Sequence, residues 1–381
     1  MKNTTQKTTL LLILMLLLFV LLPSTSSDDA TNPIIDFVDP TPDDGASQSI
    51  GIVGINVNIT EENLSSLTYN WDGTNTTIYD DSLVLMYNFD NIVSLGEDNS
   101  VVVDLSGNGI NGTAYGDAAP VTGGKYFGAY TFDGAGDYVL ATQTGLATGA
   151  NPRTIMAWIN ATDTESVKVP FAYGDTNANV GEVFGFYLSS DETLNFWGMA
   201  GSDFSTATKL TTNVWHHVAV TYDGSDVRVY LDAEQVGPTT ARTLNTGNQN
   251  LFIGSDGDID PNDYPYSGLM DEVRIWNRCL TDEEIYIHYA SNLNKINQSH
   301  WNYNITQSKN TTEELDIDTY SYQVFAEDIS NNQASTEQRT IHITGPTPPV
   351  PEASALLLLS IGIIGLLSVI YIKKKTRRNV K

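Results

Sequence analysis

The sequence predicts an all-β protein in which a two-sheet antiparallel jelly-roll sandwich is inserted into a smaller immunoglobulin-like β-sandwich. Short runs of alternating apolar and polar residues recur at a spacing of roughly 8–12 residues, separated by glycine, aspartate and asparagine turns. Between the two ends of the chain, only the segment after Thr281 has the pattern of a helix. Strand-like runs also occur on both sides of the central region, which indicates a second, interrupted sandwich.

The first 27 residues have the order of a secretory signal peptide. Lys2 and Lys7 precede an apolar run at residues 10–22, and small residues follow at 24–27. This order of charge, apolar run and small residues is typical of a cleaved secretion signal. An uncleaved N-terminal anchor is the alternative.

Two flanking segments, residues 32–80 and 292–345, are predicted to form one discontinuous domain. The first holds strand-like runs at 50–59 and 67–71, and the second holds such runs at 301–306, 319–326 and 339–344. Each segment alone is too short for a sandwich, but together they reach about 100 residues, the usual size of an immunoglobulin-like domain. Two small separate modules are the alternative.

Two hairpins are predicted inside the central region. The runs at 183–188 and 193–197 flank the polar turn 189–192, and the runs at 218–222 and 227–231 flank Asp223-Gly224. Aspartate-glycine between alternating runs is a strong turn signal. The first strand of the region covers residues 83–90.

The segment 268–285 combines a strand, a turn and the start of a helix. Met270, Glu272, Arg274 and Trp276 alternate with the residues between them, which predicts that these four share one face of a strand. Thr281 followed by Glu284 forms a capping box, so a helix is expected from residue 282 to about residue 291. This strand is expected to lie beside residues 83–90 and to close the sandwich.

The order of landmarks over residues 81–291 resembles the laminin-G-like jelly roll of the concanavalin A-like lectin/glucanase superfamily. The resemblance is carried by these segments: 83–90, 104–109, 128–134 with Asp137-Tyr138, 154–158, 215–222 and 268–285. It implies two packed antiparallel sheets of about six or seven strands each.

The same resemblance implies a structural Ca²⁺ that joins the first strand to the last. It carries the ligand role to Asp90 and Asp271, with Asp104 and the region of Asp133 completing the shell. Oxygen ligands suit this ion. For each aspartate the alternative is turn capping, since aspartate bonds its own backbone in turns. A second acidic stretch at 256–263 lacks the glycine and glutamate of a calcium loop, and a solvated loop is the preferred interpretation.

Catalytic motifs are scarce in this sequence. Glucanases of the superfamily carry a Glu-x-Asp-x-x-Glu strand or a close variant, and no such strand is present. His216 and His217 are adjacent on a predicted strand, so their rings point to opposite faces, one packed and one exposed. A serine-histidine-aspartate motif, a nucleophile elbow and a phosphate loop are also missing from the sequence. We therefore predict no catalytic residues and no cofactor other than calcium.

The composition excludes nucleic-acid binding. The formal net charge is −27, and basic residues concentrate in the two tails, so the region between them would repel phosphate. A single cysteine, Cys279, rules out disulfides within the chain and is expected to be a buried thiol. Eight Asn-x-Ser/Thr sites favour a glycoprotein: Asn58, Asn63, Asn75, Asn111, Asn160, Asn297, Asn304 and Asn310.

The C-terminal end predicts a membrane anchor. Residues 346–352 form a proline-rich linker, residues 353–372 an uncharged apolar transmembrane helix, and residues 373–381 a basic cytoplasmic tail. This order resembles the PEP-CTERM-like sorting signals that exosortases and archaeosortases read, which implies a sortase-like processing enzyme as partner. Pro351-Glu352-Ala353 departs from the common proline-glutamate-proline element, and a plain stop-transfer anchor is the alternative.

The preferred hypothesis is a non-enzymatic, membrane-anchored surface protein with its main domains outside the cell. The glycosylation sites fit an archaeal or a eukaryotic protein, and the resemblance of the C-terminus to a sorting signal favours an archaeal one. Its jelly roll would bind a glycan or a protein, or serve adhesion, with calcium as a structural ion. Trp197, Tyr264 and Tyr266 are the aromatic candidates for stacking on sugars. A purely structural envelope protein, or a glycoside hydrolase or lyase of the same superfamily, are the alternatives.

Overall fold

A computed structural model describes residues 30–176, 181–256 and 264–345, and within these residues the predicted all-β class is confirmed. The chain forms four sheets and one α-helix there. The predicted signal peptide, proline-rich linker, transmembrane helix and basic tail lie outside the described residues. Across the described ranges, no helix has the length and apolar character needed to span a bilayer.

The first flanking segment contributes five strands: β1 (Ile34–Val38), β2 (Ala46–Gln48), β3 (Val53–Thr60), β4 (Leu64–Trp71) and β5 (Thr74–Tyr79).

The central region contributes sixteen strands and a short 3-10 turn at Val93–Leu95. The strands are β6 (Leu83–Tyr87), β7 (Val101–Val102), β8 (Gly112–Tyr115), β9 (Ala119–Thr122), β10 (Gly128–Asp133), β11 (Tyr138–Ala141), β12 (Arg153–Ala161), β13 (Lys168–Gly174), β14 (Val183–Leu188), β15 (Thr193–Trp197), β16 (Phe204–Lys209), β17 (His216–Tyr222), β18 (Asp226–Leu231), β19 (Glu234–Ala241), β20 (Leu251–Ile253) and β21 (Ser267–Trp276).

The helix and the second flanking segment complete the chain: α1 (Asp282–Ala290), β22 (Ser291–Asn297), β23 (His300–Gln307), β24 (Thr319–Asp328), β25 (Gln333–Ser335) and β26 (Arg339–Ile343). Thr281 caps α1: its hydroxyl accepts from the Glu284 amide while the Glu284 carboxylate accepts from the Thr281 amide.

The two flanking segments form one sandwich, which we call the outer sandwich. One sheet has the order β1-β3-β23-β22, and the other has the order β2-β26-β24-β4-β5 with β25 on β24. β3 pairs with β23 along its whole length, from Val53 opposite Gln307 to Thr60 opposite His300. β2 and β26 are parallel, and the other pairs are antiparallel. Each sheet therefore needs strands from both flanks.

The central region forms the predicted jelly-roll sandwich. Its first sheet has the order β19-β18-β17-β12-β21-β10-β9, with β6 also beside β21, and its second sheet has the order β16-β15-β14-β13-β20-β11-β8-β7. Each sheet has eight strands, more than the six or seven expected. The closing strand β21 lies beside β6 as predicted, with Val273 opposite Tyr87 and Ile275 opposite Leu85.

The outward face of the first jelly-roll sheet is covered by α1 and the outer sandwich. Met86, Met156 and Trp276 point out of that sheet and join one buried apolar cluster with Ile285 of α1 and Trp301 of β23. The two sandwiches therefore share a continuous core. The second jelly-roll sheet, on the other side of the jelly roll, faces away from this interface.

Candidate functional site

A surface groove of about 450 Å³ lies on the outward face of the second jelly-roll sheet. Strand alternation sends Phe184, Phe186 and Leu188 of β14 into the sandwich core, so Tyr187 points outward. On β15, Leu194 and Phe196 likewise point inward. The described residues that line the groove are Val167, Val169, Thr176, Tyr187, Trp197, Met199, Asp203, Asp256 and Tyr264.

Three aromatic side chains give the groove its apolar surface. Trp197 is 9% exposed, Tyr187 is half-buried, and Tyr264 is 50% exposed. Val169, Trp197, Tyr187 and Met199 pack together as a small cluster separate from the main core. Flat aromatic faces at a surface can pack against the C–H faces of a sugar ring.

The three aromatic candidates from the sequence divide between the groove and the core. Trp197 and Tyr264 line the groove, but Tyr266 is fully buried, packs edge-on against Phe132 at 5.9 Å and donates its hydroxyl proton to the Leu269 carbonyl. Tyr187 was missed, although the inward alternation of its neighbours on β14 is a signal that could have found it.

A strained turn after β15 forms one wall of the groove. Met199, Ala200 and Gly201 all have positive φ, at 70°, 47° and 99°. The Asp203 carboxylate stabilises this turn, because its Oδ1 atom accepts hydrogen bonds of 2.9 Å from the Gly198 and Met199 amides. Such strain persists only where the surroundings hold it, and it is often found at binding sites.

The charged groups that line the groove are carboxylates. They are Asp203 on the strained turn and Asp256, which is 5% exposed. Among the described lining residues there is no lysine, arginine or histidine. The rest of the predicted acidic stretch, residues 257–263, lies outside the described residues.

A second candidate site, which we call the carboxylate cluster, lies where β21 meets the outer sandwich. A β-bulge between β12 and β21 gives Glu272 a φ of 52° and interrupts the strand alternation. Met270, Val273 and Ile275 therefore point into the jelly-roll core, and Asp271 is not on the core face with Val273. This corrects the alternation predicted from the sequence, which placed Met270 on one face with Glu272.

The bulge brings Asp271 and Glu272 near Asp90 at the end of β6. The backbone amide of Tyr126 donates to Asp271 Oδ2 at 2.9 Å, and the amide of Gly128 donates to Asp90 Oδ1 at 2.8 Å. The loop that carries both amides packs tightly on itself and against Asp271. A side chain at Gly124 would collide with the Gly128 carbonyl and with Asp271. Glu272 forms an ion pair of 2.6 Å with Arg274.

Burial raises the pKa values of all three carboxyl groups. It raises the pKa of Asp90 to about 6 and that of Glu272 to about 8, and the charge of Asp90 adds to the effect on Glu272. The pKa of Asp271 lies well above its usual range, first because of burial and then because of the charges of Glu272 and Asp90. Like charges in a low-dielectric site disfavour ionisation in this way.

Two oxygen atoms of this cluster, Asp90 Oδ2 and Glu272 Oε1, have no hydrogen bond of standard geometry among the described residues, although the side chains of Asn294 and Asn292 lie close enough to lower the pKa values of Asp90 and Glu272. Unpaired buried acceptors are costly, and a hard cation that prefers oxygen ligands would satisfy them. The donor set therefore fits calcium in chemistry. In the ranges that the structure describes, no three histidine, cysteine, aspartate or glutamate side chains are arranged tightly enough to hold a metal ion by themselves.

The other two predicted calcium ligands lie apart from this cluster. Asp104 accepts from the Met86, Ser106 and Ile110 amides and so closes a turn. Asp133 is exposed and accepts from the Ala135 amide, at the opposite end of β10 from Gly128, about 17 Å away at the usual strand rise. The structure places Asp90, Asp271 and Glu272 close enough for their charges to interact, and it places Asp104 and Asp133 in turns.

The histidine pair does not form a two-histidine site. His217 is buried against Trp158 at 5.3 Å, as predicted. His216 is half-buried rather than exposed: its Nδ1 lies 2.8 Å from Asp232, and its Nε2 accepts from the Thr211 amide. With both ring nitrogens engaged, this Asp–His pair has no nitrogen left for a nucleophile.

The single cysteine is less buried than expected. Cys279 is half-buried, and burial raises the pKa of its thiol, so the thiolate is disfavoured at neutral pH.

Residues 132–286 match a laminin-G family model described as belonging to the concanavalin A-like lectin/glucanases superfamily. No curated protein matches the chain. Similar solved structures include domain 4 of AbnA, a GH43 extracellular arabinanase from Geobacillus stearothermophilus, in complex with arabinotriose. That domain is 23% identical with a TM-score of 0.42, over 54% of this chain and 96% of that one.

Two further similar structures are larger proteins. Trypanosoma rangeli sialidase is 15% identical with a TM-score of 0.44, over 57% of this chain and 34% of that one. The binding domain of Paraclostridial Mosquitocidal Protein 1 is 16% identical with a TM-score of 0.43, over 55% of this chain and 52% of that one. The chain thus spans about a third of the sialidase and half of the toxin domain. The family match supports the laminin-G-like jelly roll that the sequence predicts.

Proposed function

We propose that this chain is a non-enzymatic cell-surface protein whose jelly roll binds carbohydrate in the groove on its second sheet. The observation that supports the proposal is the groove itself, where Tyr187, Trp197 and Tyr264 lie beside the carboxylate of Asp203. Aromatic faces would pack against sugar rings, and the carboxylate would accept hydrogen bonds from sugar hydroxyls. The groove is open along the surface, which suits a chain of sugars better than a small enclosed ligand.

A glycan array with the purified ectodomain tests this proposal. Tyr264→Ala should weaken binding several-fold to about tenfold, since an aromatic contact contributes roughly 0.5–1.5 kcal/mol beyond its buried area. Tyr264 is half exposed, so its loss should leave the fold intact. Tyr115→Ala is a matched control, because Tyr115 is an exposed tyrosine on β8 of the same sheet outside the groove. Failure of the ectodomain to bind any glycan would overturn the proposal in favour of a purely structural envelope protein.

A glycoside hydrolase is the second candidate, because Asp203 and Asp256 both line the groove. Glycoside hydrolysis uses two carboxyl groups on either side of the scissile bond. The carboxylate cluster cannot serve this purpose, since Asp271 and Glu272 are buried beneath the outer sandwich. New reducing ends released from a bound polysaccharide, and lost in Asp203→Asn, would establish the hydrolase. Binding without release supports the lectin-like function.

Calcium at the carboxylate cluster is part of the proposal. Asp90 and Asp271 would contribute carboxylate ligands, and the ion would supply a positive charge that neutralises them. Because no three such side chains of the described residues are close enough to hold a metal by themselves, backbone carbonyls or water would complete the shell. Asp90 follows the first jelly-roll strand and Asp271 lies on the last, so the ion would tie β6 to β21. The Asp90 Oδ2 atom, which accepts no hydrogen bond of standard geometry from the described residues, supports this assignment.

Thermal unfolding with and without a chelator tests the calcium site. An ion present at about 100 times its dissociation constant stabilises the folded state by about 2.7 kcal/mol, so chelation should lower the melting temperature by several degrees. Asp90→Asn should abolish this shift. Asp104→Asn, which alters a turn carboxylate, should lower the melting temperature but keep the shift. An unchanged melting curve after chelation counts against calcium.

The surface location rests on the two ends of the sequence, and exposed glycosylation sites are consistent with it. Asn58, Asn63, Asn75 and Asn111 are exposed, while Asn160 is half-buried on β12. We propose that the exposed sites carry glycans, that the C-terminal helix anchors the protein, and that a sortase-like enzyme processes it. Membrane fractionation before and after deletion of residues 353–381 tests the anchor: the deleted form should be released.

A further inference from the structure

The charged side chains among the described lining residues of the groove are all negative. Its charged lining groups are Asp203 and Asp256, and no cationic side chain is found among the described lining residues. An anion entering this groove would meet the Asp203 carboxylate. The guanidinium of Arg242 lies beside Asp203 but is occupied by the Ser202, Asp203 and Ala241 carbonyls.

Asp203 shows how a ligand would be recognised. Its Oδ1 atom is occupied by the Gly198 and Met199 amides, but its Oδ2 atom accepts no hydrogen bond from the described residues. An ionised carboxylate is an acceptor only, so it can bond only to groups that donate. Its charge also reaches Tyr187 across the groove, because it adds to the effect of burial in raising the pKa of that phenol. A ligand that packs against Tyr187 would therefore meet both a hydrogen-bond acceptor and a negative charge.

The charge of the whole molecule acts in the same direction. The formal net charge of −27 repels anions at long range, which slows their approach. This field neither attracts nor repels a neutral ligand. The hydroxyl groups of such a ligand supply the hydrogen-bond donors that the Asp203 carboxylate needs.

We infer that the groove selects neutral, hydroxyl-rich carbohydrates and rejects carbohydrates that carry carboxylate or sulfate groups. This inference rests on the proposed carbohydrate-binding function and names its ligand class. Uronic acid polymers and sialylated glycans are excluded by it, whereas unmodified hexose and pentose chains are accepted. The preference for the neutral form should be about fivefold or more, which corresponds to about 1 kcal/mol for one like-charge contact near 4 Å in water.

A matched pair of ligands tests the inference. A neutral oligosaccharide is compared with the same oligosaccharide oxidised at its primary hydroxyls to uronic acids, both titrated into the ectodomain by calorimetry. The neutral form should bind at least about fivefold more tightly at low salt. At about 1 M salt, where charges are screened within roughly 3 Å, the gap should narrow.

Two variants separate the groove charge from the net charge. Asp203→Asn keeps the acceptor that holds the strained turn and removes the charge, so the preference for the neutral form should shrink. Asp36→Asn removes one charge at an exposed position of β1 in the outer sandwich and should leave the preference unchanged. Melting curves of both variants check that the fold is intact.

The outcomes distinguish the inference from the proposed function. Equal or tighter binding of the oxidised form overturns the inference but leaves carbohydrate binding in place. An equal effect of Asp36→Asn also overturns it, since net charge rather than the groove would then set the preference. Binding of neither form, together with a negative glycan array, overturns the proposed function itself.

Discussion

His217 shows how the interface between the two sandwiches constrains a single titratable residue. Its ring is fully buried and its Nδ1 atom has no partner among the described residues. It lines a small cavity of about 10 Å³ together with His288, Arg274 and Ser291. A cavity of that size and polarity holds at most one water molecule. His217 is therefore kept neutral, since burial lowers its pKa to about 3.

This shift predicts a loss of stability in mild acid. Below pH 6.5 the unfolded chain binds a proton at His217 that the folded chain does not, so the free energy of unfolding falls as the pH falls. Between pH 7 and pH 5 the loss for this residue should be about 2 kcal/mol. His217→Gln should remove that part of the pH dependence, as measured by denaturant unfolding at both pH values.

The comparison between variant and parent is needed because other groups act in the opposite direction. The raised pKa of Asp90 means that the folded chain binds the extra proton there, so its contribution to stability is present at low pH and lost as the pH rises through about 6. A His217→Gln protein with the same slope as the parent would contradict the prediction.

Single residues also show where sequence reasoning reached its limit. The meeting of Asp90 with Asp271 was predicted, because it follows from pairing the first strand with the last. Glu272 was not predicted as a member of that cluster, since a bulge depends on the local fit between neighbouring strands rather than on a repeating pattern. Tyr266 was predicted to be a candidate for sugar contact, but its position beside Phe132 depends on which face β21 and its preceding loop present to the core.

At the scale of elements, local signals in the sequence determined most hairpins and the helix. The hairpin of β14 and β15 has the predicted strand bounds, and α1 begins at the predicted residue 282. Both depend on neighbours in the sequence: a turn between alternating runs and a capping box. The number of strands per sheet was underestimated, because short strands such as β7, β9 and β20 have too few residues to show a period.

The cap of α1 gives a prediction for this element. Thr281→Ala removes the hydroxyl that accepts from the Glu284 amide, and the loss of such a cap costs about 1 kcal/mol. Thermal or denaturant unfolding should show that loss. Glu283→Ala, in the same turn but exposed and outside the capping box, should change stability by less than about 0.5 kcal/mol. Equal effects of the two substitutions would argue against the cap as the cause.

At the scale of the whole molecule, the shared core predicts how the protein unfolds. Trp276 of the jelly roll and Trp301 of the outer sandwich belong to one buried apolar cluster, and α1 lies in the same cluster through Ile285. Unfolding one sandwich would therefore expose apolar surface of the other to water. That exposure costs roughly 25 cal/mol of free energy for each Å² of apolar surface.

Calorimetry should show one cooperative transition for a fragment of residues 30–345, with the van't Hoff and calorimetric enthalpies nearly equal. Met86→Ala, which truncates a buried side chain of the shared core, should lower the free energy of unfolding by about 2–5 kcal/mol. The melting temperature should fall, and the transition should stay single. Two separate transitions in the parent protein would contradict a shared core. Phe325→Ala, at an exposed position of β24, serves as a control with a smaller effect.

The pairing of the two flanks has a consequence for synthesis of the protein. β3 and β4 are made about 240 residues before β23 and β24, the strands of the second flank that pair with them, a delay of roughly 12–50 s at ordinary rates of translation. During that time Val53, Ile55, Val57 and Ile59 have no completed sheet to enter. The jelly roll, whose strands all lie in between, is complete first. Until then the first flank can form only its own β1–β3 and β4–β5 pairs. The edges of β3 and β4 that later receive β23 and β24 stay open, and open strand edges are prone to aggregation.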